Sequence, residues 1–105
     1  MKKLGLRTLL IAHIPNNDEN MRAFKENPKM VAEEIAATVK KLNPQAAYFG
    51  EDDGERTAYI VIDLPSADMI PVVAEPLFIN FGAKVEIKPI MDIEEVKKGL
   101  SKVSF

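Results

Sequence analysis

The chain of 105 residues contains one histidine, His13, and no cysteine. Histidine is the side chain whose unperturbed titration lies nearest neutral pH, so His13 is the first candidate for acid–base chemistry. It lies near the end of TLLIAHIP, an apolar run over residues 8–15. A carboxylate that held its ring would make it a serviceable base, and we expect Tyr59 or Asp63 to lie near it. His13 is therefore the candidate catalytic residue.

Two other interpretations of His13 stay open. It can be a hydrogen-bonded histidine at a strand end or at a dimer seam, and the lack of a second catalytic signature favours this. It can also be an axial haem ligand, although one histidine without a motif is weak support for haem. We therefore predict no cofactor.

Four further residues are candidates for ligand binding. The hydroxyls of Tyr48 and Tyr59 can orient a ligand while their rings supply apolar wall, although tyrosines in strands more often pack as cross-strand pairs. Asp63 ends the strand that contains Tyr59. Glu75 precedes Pro76 in a helix that is predicted to bend and so to border a pocket, although such a bend can simply fit a helix to a twisted sheet.

The acidic tip over residues 51–55, EDDGE, is the one cluster that suggests a hard cation. It lacks the longer ligand pattern of a calcium loop, and solvated turn residues explain it better. We therefore predict no metal site. The sequence also shows no glycine-rich phosphate loop and no Ser/His/Asp arrangement.

Composition limits the partners and the compartment. With 14 basic and 16 acidic residues and a net charge of −2, the chain has no basic stripe for nucleic acid. No apolar stretch reaches the ~20 residues that cross a bilayer, so we expect no membrane partner. The N-terminal segment resembles a signal peptide faintly, but it lacks a cleavage site, and we interpret it as a strand. Without cysteine, nothing indicates an oxidising compartment, and we expect a cytoplasmic protein.

Local signals predict the order of the elements. Strands are predicted over residues 3–14, 45–51, 55–64 and 83–91, and helices over residues 28–42, from 66 or 68 to 82, and from 93 onward. A short helical turn is predicted over residues 21–24. A helix start is indicated by Asn27 with Pro28. A tight hairpin is indicated by Asp53 with Gly54, and a capping box by Asp92 with Glu95.

The order β-α-β-β-α-β with a C-terminal helix predicts an α+β fold of the ferredoxin-like type, as one domain over residues 1–105. Such a fold has a four-stranded antiparallel sheet with two helices on one face. The other face of the sheet is unusually apolar, because Leu9, Ile11, Tyr59 and Val61 all fall on it. A second copy of the sheet is the simplest cover. Alternatively, the C-terminal helix or the loop after Pro15 folds over this face.

Residues 54–100 carry a resemblance to a known group. This part of the chain resembles the C-terminal half of a group of small uncharacterised proteins in the dimeric α+β barrel superfamily. The matching segments are GERTAYIVID, AEPLF, and AKVEIKPIM followed by an acidic residue. The resemblance implies a homodimer in which two sheets form a barrel. It carries over no activity, because a shared fold does not choose among the superfamily's chemistries.

Three hypotheses for the function follow. The first is a homodimer that binds a small apolar molecule, between sheet and helices or between sheets. The second is a non-catalytic dimer with a structural or regulatory role. The third is a cofactor-independent enzyme, similar to the superfamily's monooxygenases or isomerases, with His13 as its base.

Overall fold

A computed structural model describes residues 5–105 of the chain. The strands are β1 (Leu6–Ile14), β2 (Ala46–Asp52), β3 (Glu55–Leu64) and β4 (Lys84–Pro89). The helices are α1 (Asp18–Glu26), α2 (Pro28–Lys41), α3 (Ile70–Phe81), which follows a 3-10 turn over Ala67–Met69, and α4 (Ile93–Leu100). Residues 3 and 4 of the predicted first strand lie outside the described residues.

The four strands form one antiparallel sheet in the order β2-β3-β1-β4. Leu10 pairs with Ile60 of β3 on one side and with Ile87 of β4 on the other. The predicted α+β class with a four-stranded antiparallel sheet is confirmed. Each helix-linked pair, β1 with β2 and β3 with β4, is separated in the sheet by one other strand.

The hairpin between β2 and β3 turns on two residues with positive φ, Asp53 at 53° and Gly54 at 78°. Asp and Gly tolerate this left-handed conformation, which matches the twist of the flanking strands. Asp52 pairs with Glu55 on either side of the turn. The predicted tight hairpin is confirmed.

The core lies between one face of the sheet and the helices. Leu10 and Ile60 are both 0% exposed at its centre. The residues of β3 that alternate with Tyr59, Val61 and Asp63 are all buried: Ala58, Ile60, Ile62 and Leu64. Val73, Leu77 and Phe81 of α3 pack against them.

The first helix is longer than the predicted turn. Asn17 begins α1, because its side chain accepts a hydrogen bond of 2.8 Å from the Asn20 amide, and the helix continues to Glu26. Asn27 separates α1 from α2, and Pro28 takes the first turn of α2. The expected side-chain cap by Asn27 does not form, because Asn27 is also the C-cap residue of α1 and its backbone takes a different conformation.

The third helix accommodates both of its prolines. Pro71 lies in the first turn, where its missing amide has no intrahelical partner to lose, and Pro76 lies inside the helix. Gly82 ends α3 at a φ of 60°, in the left-handed conformation that favours glycine. The Ser66 hydroxyl bonds the Asp68 carboxylate instead of capping the helix.

The last helix begins with the predicted capping box. The Asp92 carboxylate accepts from the Glu95 amide at 2.8 Å, and the Glu95 carboxylate accepts from the Asp92 amide at 2.9 Å. Arg7 forms ion pairs with both carboxylates and so ties α4 to the start of β1. Beyond this contact, every residue of α4 except the half-buried Val96 is exposed. The helix therefore does not fold over the apolar face of its own sheet.

Candidate functional site

The face of the sheet away from the helices is the candidate functional surface, and we call it the open face. Its apolar centre consists of Leu9, Ile11, Tyr48, Tyr59 and Val61. Leu9, Ile11, Tyr59 and Val61 are half-buried, and Tyr48 is 70% exposed. None of the described helices packs over this surface, so it is an apolar patch of the kind that marks an interface or a binding site.

His13 lies at one end of the open face and is held on both sides. Its Nε2 lies 2.9 Å from Oε2 of Glu86 on β4, and its Nδ1 lies 3.2 Å from Oγ1 of Thr57 on β3. Lys88 lies 3.3 Å from the other oxygen of Glu86. The His13 side chain is only 11% exposed, so strands from both sides fix the ring in place.

The Thr57 hydroxyl also lies 2.9 Å from the Glu55 carbonyl, and its single proton can serve only one partner at a time. When the imidazole is neutral, Nε2–H donates to Glu86 and the hydroxyl donates to Nδ1. When the ring is protonated, Nδ1–H donates to Thr57 and the hydroxyl donates to the carbonyl. Both charge states of His13 therefore keep a complete set of hydrogen bonds.

Glu86 is the carboxylate whose titration the site changes. The hydrogen bond from His13, followed by the hydrogen bond and charge of Lys88, holds the pKa of Glu86 below its ordinary value. Hydrogen bonding to an ionised carboxylate favours the charged form. The site therefore contains an ionised acid next to a fixed imidazole, and both ring nitrogens already have protein partners.

The structure brings some of the predicted site residues together and separates others. Tyr48 and Tyr59 are a directly opposed cross-strand pair, and Tyr59 also pairs with Ile11 beside the His13 end. Asp63 pairs with Arg7 at the other end, six residues along β3 from Thr57, or about 20 Å. The carboxylate beside His13 is therefore Glu86 of β4, and not Asp63.

Glu75 lies exposed on α3, in the layer of helices on the opposite side of the sheet from His13. Its neighbour Pro76 lines a cleft of about 520 Å³ between α2 and α3, which we call the α2–α3 cleft. Asp63 also lines it. Further lining residues include the apolar Leu42, Ile62, Met69 and Val73 and the polar or charged Thr38, Lys41, Asn43 and Asn80. The helix that contains Pro76 therefore borders a cleft, but Glu75 itself is not one of its lining residues.

Two negative findings apply to residues 5–105. No group of three or more His, Asp or Glu side chains in this part of the chain is arranged to hold a metal ion. None of its helices combines the length and the apolar character needed to cross a membrane.

Comparison with known proteins returned no matching family model and no matching curated protein.

Proposed function

We propose that the chain forms a homodimer of the dimeric α+β barrel type and binds a small apolar molecule. The single observation that carries the dimer is the open face, where Leu9 and Ile11 of β1 meet Val61 and Tyr59 of β3 without a covering helix. Most soluble oligomers are two-fold homodimers, and a second open face is a complementary apolar cover. The strand order, which separates each helix-linked pair by one strand, fits the split βαβ, ferredoxin-like arrangement.

The proposed ligand site is the α2–α3 cleft. Its volume of about 520 Å³ lies within the range of small-molecule pockets, and its lining combines apolar side chains with polar and charged groups that could orient a ligand. Tyr48 and Tyr59 supply a second apolar surface, between the sheets of the dimer. A ligand there would contact residues of both protomers.

The experiment for both parts is native mass spectrometry of protein purified gently from its host, diluted stepwise and compared with the denatured mass. We expect a persistent dimer with a discrete extra mass that is lost on denaturation. A monomer at micromolar concentration would end the proposal of a sheet-to-sheet dimer.

A substitution that fills the α2–α3 cleft with a larger side chain tests whether the ligand binds there. Val72 lines the α2–α3 cleft, whereas Ile79, also exposed on α3, is not one of its lining residues. We expect Val72→Trp to abolish the extra mass and the matched Ile79→Trp to retain it. If both variants retained the extra mass equally, the ligand would be assigned to the space between the sheets instead.

A non-catalytic structural or regulatory dimer is the second candidate, and the contacts of His13 favour it. Both ring nitrogens have partners in the protein, so His13 can accept a proton from a substrate only after Glu86 or Thr57 gives up its bond. Cofactor-independent monooxygenase or isomerase chemistry, the third candidate, requires that step. Unchanged turnover of a recovered ligand by His13→Ala would exclude His13 as the base.

A further inference from the structure

Helix α4 has an apolar side without a partner. Ile93, Val96 and Leu100 lie on one stripe that continues to Val103, and Ile93 and Leu100 are 66% and 67% exposed. Helices as short as α4 gain most of their stability from packing an apolar side, because isolated short helices are marginal in water. The capping box and Arg7 fix the start of α4, but nothing in residues 5–105 covers its stripe.

An apolar groove of about 380 Å³ lies between α2 and β2, and we call it the α2–β2 groove. Ala32 and Ala36, one helical turn apart on α2, form one wall with Ile35, and Phe49 of β2 forms the other. The small alanine side chains allow a helix to approach closely. Phe49 is 58% exposed, so the groove offers apolar surface of the kind that amphipathic helices occupy.

Helix α4 and the groove lie at opposite edges of the sheet. α4 follows β4, whereas the groove borders β2, and three strand spacings of about 14 Å in total separate these edges. The molecule is also elongated, at 56 × 30 × 20 Å with a radius of gyration of 16.2 Å. A compact chain of this length has a radius near ~13 Å, which agrees with α4 standing away from the body.

The C-terminal half of α4 and the hairpin tip beside the groove have opposite charges, whereas Arg56, which also lines the groove, stacks on the ring of Phe24. Three lysines lie on and just after α4: Lys97, Lys98 and Lys102. The groove ends at Gly50, next to the acidic residues Glu51, Asp52 and Asp53 at the hairpin tip. Opposite charges at a rim steer association and fix the register of a complex, so the lysine end of α4 suits the hairpin end of the groove.

We infer that α4 of each protomer docks in the α2–β2 groove of a second copy, in a reciprocal two-fold exchange. The inference rests on the proposed homodimer and deepens it. Ile93, Val96 and Leu100 enter the groove, and the lysines face the acidic tip. The exchange buries apolar surface on both copies, while the open faces supply a separate contact between the sheets.

Dimer dissociation constants of full-length variants test this exchange. Leu100→Glu places a charge on the donor stripe, and Ala36→Glu places one in the groove. Ala37→Glu is the matched control, because Ala37 is exposed on α2 but does not line the groove. We expect the first two to weaken the dimer by about tenfold or more and the control to leave it unchanged. Circular dichroism of each variant checks that the monomer fold persists.

Ile11→Glu, on the open face, separates this inference from the proposed sheet contact. Dissociation by Ile11→Glu with no effect of Leu100→Glu and Ala36→Glu would overturn the helix exchange and leave the sheet-to-sheet dimer in place. Weakening by Leu100→Glu and Ala36→Glu without any effect of Ile11→Glu would support the exchange and contradict the sheet contact. A wild-type monomer at micromolar concentration would contradict both.

Disulfide trapping tests the proposed neighbours directly, because the chain has no cysteine of its own. Chains with Lys98→Cys are mixed with chains with Asp52→Cys under mild oxidation. We expect an abundant mixed disulfide between the two variants. Lys29→Cys, at the start of α2, replaces Asp52→Cys in the control mixture, and equal trapping in both mixtures would overturn the docking orientation.

Discussion

Nε2 of His13 lies 2.9 Å from Oε2 of Glu86, across the pairing of β1 with β4 and 73 residues apart in the sequence. This contact turns an isolated histidine into half of an acid–base pair. It also occupies the nitrogen that a general base would otherwise present to a substrate. The pair therefore links the stability of the sheet edge to pH.

The pH dependence of stability tests this link. Because the folded protein lowers the pKa of Glu86, chiefly through His13, the ionised carboxylate stabilises the fold above its unfolded pKa. That contribution is lost as the pH falls through the lower, folded pKa. Between about pH 5 and pH 3 we expect the unfolding free energy of Glu86→Gln to fall less steeply than that of the wild type, as measured by urea unfolding. Glu33→Gln, an exposed change on α2, is the control, and equal slopes in wild type and Glu86→Gln would contradict the link.

Thr57→Val tests the other side of the ring. Thr57 is 3% exposed, and its loss leaves Nδ1 of His13 without its hydroxyl partner. An unsatisfied buried polar atom costs about 1–3 kcal/mol, and we expect a destabilisation of this size in urea unfolding. Thr57→Ser should restore most of it, because the hydroxyl returns. Equal destabilisation by both variants would contradict a role for the hydrogen bond, because Thr57→Ser keeps the hydroxyl and Thr57→Val does not.

Two neighbouring residues of β3 distinguish the core from the open face. Ile60 is 0% exposed among the core residues, so Ile60→Ala should lower the unfolding free energy by about 2–5 kcal/mol at any protein concentration. Val61 lies on the open face, so the cost of Val61→Ala should grow with protein concentration as the dimer forms. Thermal melts over a dilution series measure both. A concentration-independent effect of Val61→Ala would contradict a covered open face.

The capping box predicts local instability of α4. Asp92→Ala removes the bond from the Glu95 amide and an ion pair with Arg7, and a lost N-cap costs about 0.5–2 kcal/mol. Since α4 does not pack on its own core, we expect faster hydrogen exchange in α4 and little change in β1 or β3. Ser104→Ala, beyond the end of the helix, is the control. Uniformly faster exchange across the sheet would mean that α4 supports the core.

Local patterns predicted most of the fold. The alternation around Ile60, the turn at Asp53 and the capping box at Asp92 all depend on residues within a few positions of one another, and all three form as expected. The sequence predicted only a turn over residues 21–24 where α1 forms, because the segment DENMRAFKE is largely polar. Its signals were nevertheless present, in the cap at Asn17 and the acidic residues that follow it.

The candidate site was harder to predict, because it depends on pairing between distant strands. The sequence predicted that Tyr59 or Asp63 would lie near His13, whereas the position of Glu86 beside it depends on the register of β1 against β4. The stripe on α4 similarly indicates that a partner surface is needed without identifying it. Which surfaces meet is a property of the assembled sheet, not of a local segment.

The two outer strands differ in how they are protected. β4 carries Lys84, Glu86, Lys88 and Pro89, which discourage another strand from pairing with it, whereas β2 is uncharged from Ala46 to Gly50. The free backbone groups of β2 can therefore template growth of the sheet into an open-ended assembly. A partner helix in the neighbouring groove would sterically block that edge, so the same contact that completes a closed pair would also prevent aggregation.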